Sequence, residues 1–543
     1  MYQILLLLFF YFLILYSILG YGKILTLINS NYQASSFDGL FGIAFLILIS
    51  YLTNFFFPHN YLHNSIILII GLIIFIYDLN KNFLKRILDY RDISIIFSII
   101  FIGILIFKNH DDFYYYHFPY TIILTEFEKI FGLGNLNHGF RTPSSIFYLN
   151  SLFYLPIIKY FMINSGAIYI LGLSNFILYK LIKSLLDLNK FNHILFLSLL
   201  SLIYINSTFA RLAEHGTDRS ALILIFLMSI FYLKSLDFEN SRINLKYFDN
   251  YYSKLAILFG IIISLKAFYL IYSVIFIIWF LQIKKFLDIK KFSSLIFKNF
   301  YTYFVLTIFV LTIFTMFSNT GCLIYPASFT CFENLSWSIP VDQVNQMKLW
   351  YEQWSKAGAS PNFRVEDPQT YVSNLNWVNN WIEAYFFNKV SDNILVISFI
   401  SIFIFFLFFY NSKKKKNTKK NFFLFYFLIC LLFIEWFYNH PTLRYGGYTL
   451  LALIFFIPVS IFLSGYKLDT ELTKKKTYSI FFLIVLIFMT RNIMRIEKEY
   501  RQYDYNPFKS AFFYLNKDGF ILNDTVKKKF KNTNKKFLVI TSK

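Results

Sequence analysis

From Asn393 to Tyr410 the chain reads NILVISFISIFIFFLFFY, and residues 411–420 read NSKKKKNTKK. The first stretch contains no charge and no helix breaker, and it approaches the roughly 20 apolar residues a helix needs to cross a bilayer. The second brings Lys413 to Lys416, Lys419 and Lys420 into one short loop, the pattern of a cytoplasmic turn between two spans. A further apolar run, 421–438, follows at once. Together they predict a polytopic helical membrane protein.

The rest of the chain repeats this pattern. Of 543 residues, 57% are hydrophobic, 22% aromatic and 15% charged, and the mean hydropathy is +0.53. A soluble domain is nearer 25% charged. The aromatic content, with 71 Phe and 42 Tyr, excludes disordered and collagen-like chains, and three Cys exclude a disulfide scaffold. Alternating strands of the barrel kind are absent. The net charge of +22 would suggest a nucleic-acid partner in a soluble protein. Here the basic residues lie mainly in short loops, so they report topology.

Apolar runs fall near 4–20, 39–57, 62–78, 92–107, 145–162, 166–184, 192–209, 220–237, 252–265, 267–283, 300–317, 393–410, 421–438, 448–464 and 478–490. The expectation is an all-α fold of about 13–15 transmembrane or re-entrant helices, a count set by span length. The N-terminal run lacks a basic start and a cleavage site, and reads as a retained helix. Basic loops at 81–91, 180–190, 284–291 and 474–476 join 413–420 on the cytoplasmic side. Alternation then puts 108–144, 210–219, 318–392, 439–447 and the tail from Arg491 outside. Three runs separate 108–144 from 210–219, a parity conflict that is relieved if 145–162, with Pro143 and Pro156, is re-entrant or interfacial. Lys266 splits 252–265 from 267–283, which predicts a short hairpin with the lysine at the outer surface.

The chain divides into N-terminal helices 1–91, a core 92–317, an outer loop 318–392, helices 393–490 and a small tail 491–543. The outer loop holds five of the seven Trp: Trp337, Trp350, Trp354, Trp377 and Trp381. Such rings suit either a membrane interface or a sugar-facing surface. Cys322 and Cys331 lie in the same loop, where an oxidising compartment permits a bridge.

Ionisable groups at the membrane edge are costly to desolvate and mark candidate sites. The densest cluster is Asn109-His110-Asp111-Asp112-Phe113-Tyr114-Tyr115-Tyr116-His117. Its acidic pair could supply a general base or ligate a divalent cation, and an ordinary solvated helix end is the plain alternative. Gly132 to Arg141 forms a glycine- and Asn-rich turn with His138 and Arg141; it lacks the Lys-Ser/Thr of a P-loop. The segment Glu214-His215-Gly216-Thr217-Asp218 opens a later helix, where Asp218 could be a site residue or only a cap. His440-Pro441-Thr442-Leu443-Arg444-Tyr445-Gly446-Gly447 offers an Arg suited to phosphate beside two glycines.

In this order the parts resemble the GT-C class of membrane glycosyltransferases, which use polyprenyl-phosphate sugars, and they look most like poorly characterised bacterial relatives of that class. Asp111-Asp112 with Phe118-Pro119-Tyr120 to Arg141 is similar to its acidic pair and first outer loop. Asp218 is similar to its second acid, Leu265-Lys266-Ala267 to a Lys between short helices, and Arg444-Tyr445 to a late Arg-Tyr pair. Three spans precede the acidic pair here, whereas the class usually has one, and no long soluble domain follows the last span.

The resemblance implies an integral plasma (inner) membrane enzyme whose site faces outside. It would move a sugar from a lipid phosphate to a glycan, lipid or protein acceptor. Asp112 or Asp111 would be the base, and Asp218 would orient the acceptor or a cation. Arg444, Lys266 and Tyr445 would hold the donor phosphate. His117, His138, Arg141, Glu214, His215 and His440 would line the acceptor or sugar site. The resemblance fixes no cofactor, and Asp111 and Asp112 could bind a divalent cation. The alternatives are a lipid-linked glycan polymerase or ligase leaning on Arg444 and His440, a transporter or flippase, and a structural membrane protein.

Overall fold

The computed structural model describes residues 1–28, 36–107, 112–212, 216–236, 245–284, 296–360, 363–409, 413–414, 422–512 and 539–540. Asp111, Glu214 and His215 lie outside the described residues, as do most of the lysines of 413–420. Eight helices among the described residues are long and apolar enough to cross a membrane, and four shorter apolar helices accompany them. The protein is an all-α, multi-pass membrane protein.

Helices α1 (Tyr2–Ile28), α2 (Asp38–Thr53) and α3 (Tyr61–Ile100) form the N-terminal group. Gly20 and Gly71 let α1 and α3 touch through their backbones: a Cβ on Gly20 would lie 1.9 Å from the Gly71 carbonyl oxygen. Small residues at such crossings are the usual way for membrane helices to gain dispersion contact. The expected runs 62–78 and 92–107 share α3, which leaves helical geometry at Asn82. There Asn82 donates to Asp78 at 3.0 Å, and Arg86 meets Asp38 and Asp78 at 3.1 and 3.6 Å. Lys23 pairs with Asp38 and completes a buried network.

The segment expected to be re-entrant or interfacial, 145–162, contains the two-turn helix α5 (Ser145–Ser151), a tight turn at Pro156 and a single 3-10 turn at Tyr160–Met162. It follows α4 (Phe118–Glu126). Then come α6 (Gly166–Asp187), α7 (His193–Thr208) and α8 (Gly216–Ser235), which are apolar nearly all round and form the buried centre. A helix apolar on every face belongs in such a place. Asn175 and Asn206 satisfy each other there, with reciprocal hydrogen bonds of 2.8 and 2.9 Å between α6 and α7.

Helix α9 (Leu245–Leu265) ends at extended Lys266, and a turn at Ala267–Tyr272 leads into α10 (Ser273–Lys284). Phe259 stacks on Phe276, and Phe248 on Trp279, which folds the pair into a hairpin. Helix α11 (Phe300–Thr320) enters the outer loop, where Cys322 and Cys331 are bridged and α12 (Val341–Lys356) lies. The last helices are α13 (Ser391–Phe409), α14 (Phe423–Asn439), α15 (Gly447–Ser464) and α16 (Thr470–Tyr503).

The apolar helices number fewer than the expected 13–15 spans because two runs share α3, 145–162 stays short, and α9 begins with polar turns. The boundary drawn at 490 also falls inside α16, which is one continuous helix. At the far end of α15, Lys413 and Lys414 pair with Lys467 and Tyr466 in a two-residue ribbon.

Candidate active site

Four chain segments meet at one end of the bundle: the turn 112–117, the start of α8, the α9–α10 turn and the α14–α15 link. Their meeting point is Asp218, which is 4% exposed in the first turn of α8. The helix N-terminus already favours a negative charge there. Lys266 Nζ lies 3.0 Å from Asp218 Oδ1, and Arg444 Nε lies 3.2 Å from Oδ2. A buried carboxylate is tolerable when it is compensated on both oxygens in this way. The Tyr269 hydroxyl is 3.3 Å from Oδ1 and donates to the Arg444 carbonyl at 3.0 Å.

Arg444 sits on a loop held by side chains. The Trp436 indole donates to the Thr442 carbonyl and Trp381 donates to that of Pro441, both at 2.8 Å. The Leu443 N–H donates to the Tyr385 hydroxyl at 3.0 Å. Gly446 follows at φ +115°, and a Cβ there would meet the Tyr272 hydroxyl at 2.4 Å, so both conformation and space require glycine.

A terminal nitrogen of Arg444 also reaches Asp112 Oδ2 at 3.9 Å, the loosest contact of the centre. Aromatic rings line its open side. The Arg444 guanidinium lies 5.4 Å from the Trp354 ring and Lys266 Nζ 4.6 Å from the Tyr445 ring. Phe268 packs against His440 and Tyr445. Burial, reinforced by the Asp112 carboxylate, holds the Tyr116 phenol well above its usual range, so it is a donor at neutral pH. Next to Asp112 and Asp218 lies a small cleft, lined by Phe113, His117, Ile146, Asn150, Asn164 and Thr217 among others.

Asp112, Asp218, Lys266, Arg444, Tyr445 and His440 thus come together. His117 faces the adjoining cleft. His138 and Arg141 lie further out: His138 Nδ1 is 2.8 Å from the Tyr115 hydroxyl, and Arg141 donates to the Gly134 carbonyl at 3.0 Å. Among the described residues no three His, Cys, Asp or Glu side chains converge as metal ligands do. Tyr269, Tyr116 and Phe268 were not singled out from sequence. Tyr269 had a signal, since it stands one short helical turn after Lys266, whereas Tyr116 was hidden in a run of three tyrosines.

Residues 1–451 match the family model described as a domain of unknown function (DUF8201), and the chain belongs to that family. The matched stretch includes Asp112, Asp218, Lys266 and Arg444. No curated protein and no solved structure matches the chain.

Proposed function

We propose that this protein is a membrane glycosyltransferase that moves a sugar from a polyprenyl-phosphate donor to a cell-envelope acceptor. The observation that carries the reading is the Asp218 carboxylate clamped by Lys266 and Arg444, with an Asp112 oxygen 3.9 Å from the same arginine. Two fixed cations suit a leaving lipid phosphate, and an adjacent carboxylate suits an acceptor hydroxyl.

In this reading the donor phosphate takes the Arg444 nitrogens that Asp112 now faces, with Lys266 and Tyr445 beside it. Asp112 accepts the proton of the acceptor hydroxyl. As the oxygen–anomeric carbon bond forms, the bond from that carbon to the phosphate oxygen breaks. The phosphate leaves with the electron pair and its charge meets Arg444 and Lys266. Asp218 holds both cations in register. The GT-C resemblance implies inversion at the anomeric carbon. It also implies a site facing outside the plasma (inner) membrane, in keeping with the ribbon lysines at the far end of α15.

The test is release of polyprenyl phosphate by the protein in proteoliposomes supplied with polyprenyl-phosphate hexoses and pentoses. Asp112→Asn is expected to lower turnover about 10²–10⁴-fold while leaving donor binding intact. Undiminished turnover in that variant removes the base role. No release from any donor contradicts the transferase reading.

A further inference from the structure

Beside the ionic centre lies a row of aromatic rings that begins at Tyr445 and leads away from the donor phosphate site. Helix α12 places Trp350 and Trp354 four residues apart, hence on one face. Their ring centroids lie 6.4 Å apart and nearly parallel. The row continues at both ends: Trp354 is 6.1 Å from Tyr445, and Trp350 is 6.5 Å from His138. Hydrogen-bonding groups flank the row, Gln343 from α12 itself and Arg141, Tyr325 and Tyr115 from neighbouring segments. Arg141 donates to Gln343 Oε1 at 3.3 Å and to the Tyr325 hydroxyl at 3.4 Å, and Tyr115 closes on His138. His138 and Gln343 are exposed, and Trp350, Trp354 and Tyr445 are partly so.

We infer that this row is a glycan-binding track, so that the acceptor is a saccharide chain rather than a protein or a simple lipid. A pyranose presents a flat C–H face and a rim of hydroxyls. The row presents partly exposed aromatic surface, with an arginine, an amide, an imidazole and phenols beside it. Rings serving only as a membrane anchor would face lipid from an apolar helix. Here α12 is polar around most of its circumference, and the two indoles turn inward to His138, Arg444 and Tyr445. The track ends at Asp112, which would place the terminal hydroxyl of a bound chain at the base. The inference rests on the transferase reading for which end of the chain reacts, but binding itself can be measured without turnover.

The experiment is a tryptophan-fluorescence titration of the full chain in detergent with malto-, manno- and chito-tetrasaccharides, beside the donor-turnover assay. At least one series is expected to give a saturable change. Trp350→Ala should weaken it about five- to tenfold, as expected for loss of one stacked ring, and Trp350→Phe should largely restore it. His138→Ala, at an exposed position that does not test folding, should also weaken it severalfold, whereas Lys467→Ala, at the other end of the molecule, should bind as the parent does. No saturable response, or equal binding by Trp350→Ala, overturns the track and leaves the transferase reading standing if donor turnover persists. Binding that follows these variants without turnover of any donor supports the track and counts against the transferase reading.

Discussion

Asp218 is the residue on which the centre depends. It is 6% exposed at its side chain, while Lys266 and Arg444 are 21% and 34% exposed. Asp218→Asn leaves two cations facing each other without their shared counter-charge. Breaking a fully buried pair costs about 3–5 kcal/mol, and the partly solvated cations bring the expectation down to about 2–3 kcal/mol. Thermal unfolding of the purified variant reads this. Adding Lys266→Gln should cost less than the two single losses summed, because the residues share one network.

His440 makes a second expectation. Burial pushes its imidazole from 6.5 down to about 4, with Lys356 and Lys266 acting the same way and Glu352 opposing. The folded state therefore holds it neutral where the unfolded chain would protonate it. Its contribution is fully present above about pH 6.5 and is lost as pH falls toward 4. His59, buried and pushed down to about 3, acts with the same sign. His440→Gln should flatten part of the acid-side loss in a stability–pH curve, and an unchanged curve would show that His440 titrates alike in both states.

Elements far apart in sequence meet at residues 105–107. On α16, Glu499 accepts the Phe107 N–H at 3.1 Å, and Arg495 pairs with Glu499 at 2.9 Å and donates to the Leu105 carbonyl at 2.8 Å. These bonds tie the end of the α3 segment to α16. Glu499→Gln should cost about 1–3 kcal/mol of stability in thermal unfolding; an unchanged unfolding temperature would show that the tie contributes nothing. This latch was illegible in the sequence, where α16 reads as a span followed by a charged tail. The helices themselves were legible because each carries its own apolar run, and the break at Lys266 was legible because one lysine interrupts such a run. The clamp depends on a pairing between residues 226 positions apart, so periodicity could mark Asp218 and Arg444 as unusual without joining them. Trp354, seen in sequence only as one of five loop tryptophans, gained its meaning from the arginine lying over it.

At the scale of the whole molecule, one end carries the ionic centre, the bridged loop and the aromatic row, and the other carries the paired Lys413, Lys414 and Lys467. The proposed function, with the positive-inside rule, predicts that the lysine end is cytoplasmic. A cysteine at Gln343 should react with a membrane-impermeant maleimide in intact cells, and one at Lys467 only after permeabilisation; the reverse pattern would invert the topology and with it the donor's side.

The measurement closest to the central claim is native mass spectrometry of the protein released from mild detergent, with Arg444→Ala beside it. The account predicts a bound polyprenyl phosphate or its sugar adduct in the parent and its loss in the variant. A parent free of any polyprenyl species, or the same species retained by Arg444→Ala, would contradict the donor site at the Lys266–Arg444 clamp.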